Sequence, residues 1–197
     1  MRVIIAVLVT IVFSFTLNAA AQSYGFQNIP FGTSFEEVKS TLVKTYGEGS
    51  LYPPPEDDGD YIWLNGFHLG ENIVQVTFHF DHNSQLYAFQ FASPKYTADR
   101  LNSDVYEDGK TLTDIFSKKY GKSASRYKPS IFEINSGYVS YLSKWKHKDL
   151  QIYTGVTTYE AQYRAIAYVG SKKMIKAHEK FLADEERKST QNAINQF

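Results

Sequence analysis

The stretch IVQVTFHFDHNSQLYAFQF, residues 73–91, decides the fold. Val74, Val76, Phe78 and Phe80 alternate with Gln75, Thr77 and His79, the period of two that sends successive side chains to opposite faces of a strand. Asp81-His82-Asn83-Ser84 then supplies short polar side chains that bond to their own backbone in a turn. From Leu86 to Phe91 the extended pattern resumes, with Tyr87, Phe89 and Phe91 expected on one face. The result is an antiparallel hairpin with one apolar face and one polar face, and only the apolar face needs a helical cover.

Working outward, Tyr61 to Leu69 adds a preceding strand. Upstream, Ser34-Phe35-Glu36-Glu37 is a capping box, in which Glu37 reaches back to the Ser34 backbone N–H. Phe35, Val38, Leu42 and Tyr46 follow helical spacing, and Gly47 closes that helix. Between helix and strand, Tyr52-Pro53-Pro54-Pro55-Glu56-Asp57-Asp58-Gly59-Asp60 is a loop, since its three prolines cannot donate to a ladder. The acidic run lacks the spacing of a calcium loop, and the prolines offer a polyproline segment; an exposed variable loop is the plainer reading.

The same order recurs downstream. From Thr97 to Tyr120 the stripe Leu101, Val105, Leu112, Ile115, Phe116 is helical. Gly109 either interrupts one helix, at about 1 kcal/mol relative to Ala, or separates two; the continuous stripe favours one. Strands are expected near Tyr138–His147, Leu150–Thr158 and Tyr163–Val169, with turns at Lys148-Asp149 and Glu160-Ala161. Lys44-Thr45-Tyr46-Gly47 and Lys118-Lys119-Tyr120-Gly121 hold equivalent places. So do the second strands, from Val74 and Leu150, and the third, from Leu86 and Tyr163. This predicts a duplicated helix–strand–strand–strand unit, residues 22–96 and 97–170. The two units would join edge to edge in an α+β fold, one antiparallel sheet with helices on one face. A final helix, Ser171 to Arg187 within 171–197, would dock through Met174, Ile175, His178, Phe181 and Leu182, with a polar tail fraying after Lys188.

Met1-Arg2, the apolar run Val3–Leu17 and Asn18-Ala19-Ala20-Ala21 read as a signal peptide cleaved after Ala21. A retained anchor would need about 20 apolar residues and basic flanks. The expected location is periplasmic or secreted, with no stable membrane insertion after cleavage. The chain has no cysteine, so disulfides, thiol chemistry, cysteine–zinc sites and lipid attachment are excluded and packing alone must stabilise the fold. With 21 basic and 21 acidic residues, the basic excess of a nucleic-acid binder is missing.

Ile29-Pro30-Phe31-Gly32-Thr33-Ser34-Phe35-Glu36-Glu37-Val38-Lys39 resembles the opening of the SmpA/OmlA and beta-lactamase-inhibitor-like group. Those exported proteins place a short helical segment before an antiparallel meander, and a tandem repeat of this period is similar to the inhibitor architecture. Lys-Thr-Tyr-Gly, Phe-Asp-His-Asn-Ser-Gln-Leu and Tyr168-Val169 before a charged helix also resemble uncharacterised exported proteins of Gram-negative bacteria. The lipid-anchoring cysteine of SmpA-type proteins is missing, and no inhibitor contact loop matches residue by residue. The resemblance implies non-catalytic protein binding in the cell envelope.

His79, Asp81 and His82 are the candidate metal ligands, two imidazoles and a carboxylate of the kind that holds zinc with an open position. A strand-to-turn junction fixes no such geometry, so a solvated hairpin tip is the plainer account. No Gly-x-Ser-x-Gly, His-Glu-x-x-His or phosphate-binding glycine loop occurs, and no cofactor is implied. The surplus of 15 Tyr and 14 Phe is the remaining signal. Tyr141 and Trp145 are expected on one face of their strand, and Tyr153 and Tyr159 on one face of the next. With helices over one face only, some of these rings stay wet, as in surfaces that grip proteins. The leading expectation is an envelope or extracellular protein partner held by these four residues. A glycan or small molecule in a cleft between the units is the alternative, and a hydrolase without a recognisable motif comes third.

Overall fold

The computed structural model of the chain describes residues 24–52, 61–134 and 137–194. The expected signal peptide and the acidic 53–60 loop lie outside the described residues. A small hairpin, β1 (Gly25–Phe26) and β2 (Ile29–Pro30), comes first. Helix α1 (Phe35–Tyr46) begins at the expected box, with the Ser34 backbone N–H and hydroxyl both donating to Glu37 Oε2, and ends at Gly47 with φ 85°. The first meander is β3 (Leu51–Tyr52), β4 (Tyr61–Leu69), β5 (Asn72–Phe80) and β6 (Leu86–Ala92).

Then a 3₁₀ turn (Ala98–Arg100) and a π turn (Leu101–Val105) lead into α2 (Tyr106–Tyr120), which is continuous through Gly109. A Cβ at Gly109 would overlap Leu142 Cδ1, so glycine sits where the helix axis comes closest to the sheet. The second meander is β7 (Ser125–Arg126), β8 (Ser140–Trp145), β9 (Leu150–Tyr159) and β10 (Gln162–Ser171).

All eight strands form one antiparallel sheet, ordered β3-β4-β5-β6-β10-β9-β8-β7. Each meander thus ends at the centre, where Phe89 lies opposite Val169 and Phe91 opposite Ala167. Helix, short strand and three-strand meander occur twice in chain order, and the strand order is symmetric about the β6–β10 seam. Helices α1 and α2 cover one face, burying Val38, Leu42, Val105, Leu112 and Phe116 against Val76, Phe78, Phe91, Val156 and Ala167. Each such side chain contributes about 1.5–3 kcal/mol on burial.

Helix α3 (Lys172–Ile194) crosses the opposite face. It starts directly after Ser171, beside Gly170, where a Cβ would come within 2.8 Å of Ile175 Cδ1. Its tail does not fray after Lys188 as expected. Glu185–Lys188 and Asp184–Arg187 pairs at helical spacing, and Thr190 bonding to the Glu186 carbonyl, carry it to Ile194.

Two bulges change the faces read from alternation. In β8 the register slips between Tyr141 and Ser143, so Leu142 and Ser143 both turn inward and the parity beyond them inverts. Tyr141 and Trp145 therefore lie on opposite faces. Trp145, expected as a surface ring, is buried opposite Ile152, against Phe116, and donates from Nε1 to the Gly121 carbonyl at 2.7 Å. In β6 a slip opposite His79 and Phe80 turns Tyr87 away from Phe89 and Phe91 and onto the face shared with His79. Among the described residues, no helix is long and apolar enough to cross a membrane.

Candidate functional site

The face that α1 and α2 leave open carries a row of rings crossing five strands. Tyr141 of β8 meets Tyr153 of β9 edge-on at 5.0 Å, and Tyr153 stacks on Tyr168 of β10 at 4.8 Å with planes 9° apart. Tyr153 and Tyr168 are direct cross-strand partners, the arrangement in which side-chain pairing stabilises a sheet most. Tyr168 continues to His79 of β5 at 6.3 Å, and His79 to Tyr87 of β6 at 6.1 Å. From Tyr87 the row passes under α3, where His178 approaches at 5.3 Å and Phe181 stacks on His82 at 4.2 Å.

The chemistry differs along this row. At its inner end, burial pulls the His79 imidazole down to a pKa of about 4, leaving it neutral. The ring keeps an accessible edge, but its Nε2 is shielded from solvent and has no hydrogen-bond partner. Burial, followed by the neighbouring phenols, pushes Tyr153 and Tyr168 well above the ordinary tyrosine range. Both hydroxyls stay protonated, ready to donate or accept. At the outer end Tyr141 is 39 % exposed and carries the Lys144 ammonium 3.3 Å from its ring centroid.

Tyr159 lies on the same face of β9 at the hairpin tip, 66 % exposed. Its tight turn is forced by Glu160 and Ala161, both at positive φ (52° and 59°). In the loop before β8, Tyr138 and Phe132 are exposed, the latter 92 %. That loop is anchored by Gly137 N–H to the Thr158 carbonyl and Ser140 Oγ to the Glu133 carbonyl.

Arg164 lies toward the middle of this open face. Its guanidinium donates twice to the Ser93 carbonyl and once to Gln75 Oε1, tying the seam between the two meanders. Burial lowers its pKa. Neither Arg164 nor Lys144 has a carboxylate partner among the described residues.

Of the expected site residues, the fold brings Tyr141 and Tyr153 together, places Tyr159 further along the same face and removes Trp145. Tyr168, Tyr87 and His178 join the row without having been singled out. The parity of Tyr168 was readable on its strand; that of Tyr87 was not, because of the bulge. The candidate metal ligands diverge. Asp81 Oδ1 accepts from the Asn83 and Gln85 backbone N–H groups within its own turn. His82 stacks on Phe181 while His79 faces Tyr87 and Tyr168. No three His, Asp or Glu side chains converge among the described residues.

Elsewhere, a cavity of about 310 Å³ contains Tyr96 and Asp108, whose carboxylate accepts from the phenol at 2.9 Å. Burial raises Asp108, and burial with that bond raises Tyr96 to about 12. The Ser93 hydroxyl at its edge donates to the Pro94 carbonyl and accepts from Ala165 N–H, so it is not presented as a nucleophile.

No family model matches the chain, and no curated protein does either. Among solved structures, the chain is similar to a DUF4309 family protein (YjgB) from Bacillus subtilis, at 10% identity and a TM-score of 0.40, covering 76% of this chain and 88% of that one.

Proposed function

We propose that the mature chain is a non-catalytic binding module of the cell envelope that grips a protein partner through the tyrosine row of its second unit. The observation that carries this reading is the Tyr141–Tyr153–Tyr168 stack on the sheet face that α1 and α2 leave open, with no partner for its hydroxyls among the described residues. Interfaces draw their strongest contacts from such rigid amphipathic rings and from arginine. Lys144 and Arg164, both without a carboxylate partner among the described residues, add preference for a partner that brings an acidic side chain among apolar ones. The protruding Tyr159 extends the same patch. The signal-like Met1–Ala21 segment and the likeness of Ile29–Lys39 to the SmpA/OmlA and inhibitor-like group support an exported, envelope-facing role.

The test is capture from a native envelope extract with the tagged mature protein, quantified by mass spectrometry. The double variant Tyr141→Ala/Tyr153→Ala should lose its specific captured protein by about tenfold or more, an effect on the order of 1.4 kcal/mol or above, while melting as a cooperative fold. Capture that is the same for the double variant and the parent would sink the assignment. N-terminal sequencing of the exported form should begin at Gln22, which checks the compartment separately.

A further inference from the structure

We propose that the junction of the two units on the helix-covered face binds a small amphiphile, an apolar ring or short chain carrying one anionic group. The β1–β2 hairpin inserts Phe26 among Phe67, Phe78, Phe89 and Phe91, at centroid distances of 4.9 to 6.1 Å. Next to that plug lies a cavity of about 160 Å³. The first unit contributes Phe67, Phe89 and Phe91 to its wall, and α2 of the second contributes Ile115, Phe116 and Tyr120. At roughly 30 Å³ per water-sized group it holds about five such groups, the bulk of a phenyl ring or short alkyl chain. Its lining is overwhelmingly apolar, so it favours carbon over water.

A wider, polar space of about 510 Å³ adjoins it and shares Gly25, Gln27, Lys119 and Tyr120 as walls, with Tyr24 and His147 beyond. Among the described residues, no Asp or Glu lines either space. Lys119 lines both; its ammonium lies 5.3 Å from the Tyr120 ring centroid and pairs with no carboxylate among the described residues. His147 Nδ1 accepts from the Asp149 and Leu150 backbone N–H groups, each at 3.2 Å. The neutral ring therefore carries its proton on Nε2, as a donor. Apolar walls inside and an unpaired cation with a donor at the mouth fit one ligand chemistry: a hydrophobic body ending in a carboxylate or similar anion. A neutral apolar molecule would leave Lys119 unused, and a bare anion would leave the ring wall unused.

The experiment is calorimetric titration of the mature protein with 3-phenylpropionate and with neutral 3-phenylpropanol. The acid should bind at one site about three- to fivefold more tightly than the alcohol, the scale of one solvent-exposed charge contact. Lys119→Gln, at an exposed position, should erase that preference. Ile115→Trp should fill the cavity and abolish both. Should that variant fail to fold, amide shift mapping on the parent must confine ligand perturbations to residues 24–27, 115–120 and 147–150. Equal binding of acid and alcohol, a preference that survives Lys119→Gln, or shifts centred elsewhere would each overturn the proposal. Tyr141→Ala/Tyr153→Ala lies on the opposite face and should bind phenylpropionate like the parent, so this inference and the protein-binding reading fail independently.

Discussion

The two faces of the sheet use the same strands, yet they solve different problems. On the covered face the ring cluster is built mainly from phenylalanines: Phe26, Phe78, Phe89, Phe91 and Phe116 pack edge to face with no polar atom to satisfy. On the open face the row is made of tyrosines and His79, and the Tyr141, Tyr153 and Tyr168 hydroxyls and His79 Nε2 have no partner among the described residues. Phenylalanine fits a surface that folding seals once. Tyrosine fits a surface that remains half wet and can be sealed a second time by something else. The contrast predicts that stability resides on one face and recognition on the other.

The largest expected effect tests the covered face. Phe78 is fully buried and central to the ring cluster, so Phe78→Ala should cost about 3–5 kcal/mol through lost transfer energy and the residual cavity. A denaturant titration reads this directly. A loss below about 1 kcal/mol would mean that the sheet does not depend on its helix-covered face.

A smaller effect lies where the faces differ in chemistry, at His79. Its folded pKa, about 4, is depressed by burial below the ordinary imidazole value of 6.5. Between these values the unfolded chain binds a proton that the folded one refuses, so stability is complete above pH 6.5 and falls as pH drops toward 4. The scale is up to about 3 kcal/mol, at 1.36 kcal/mol per unit. His79→Phe removes this titration. The difference in stability between parent and variant, measured from pH 7.5 to 4, should carry the slope; parallel curves would show that His79 is not shielded as described.

These differences explain how far the sequence could be read. The capping box at Ser34, the strict alternation of β5 and the matched Tyr-Gly ends of α1 and α2 are local signals, and they yielded the fold. Face assignment failed where one residue was inserted. Around Tyr141–Ser143 and at Tyr87 nothing in the local composition marks a bulge, since the slip is set by pairing with a neighbouring strand. Parity errors then propagate: Trp145 moved from the expected binding surface to the core. The ring row beneath α3 was equally hidden, because His178 and Phe181 meet Tyr87 and His82 only after roughly 90 residues of intervening chain. The short strands β1, β2, β3 and β7, two residues each, are too brief for any period to register.

The sharpest comparison places hydroxyl against hydroxyl. On the covered face Thr113 of α2 and Thr154 of β9 bond to each other at 2.8 Å, and Thr113 also donates to the Gly109 carbonyl. Thr113→Val strands the Thr154 hydroxyl in a site without water and should cost about 1–2 kcal/mol. Replacing both threonines by valine removes donor and acceptor together and should recover most of that loss, a coupling that a double-mutant cycle measures. On the open face Tyr153→Phe deletes a hydroxyl that bonds to nothing among the described residues and keeps the stack on Tyr168. Its stability should shift by less than about 0.5 kcal/mol, whereas capture of an envelope partner should weaken. If Tyr153→Phe proves as damaging as Thr113→Val, that phenol is an internal structural bond and the two faces are alike after all.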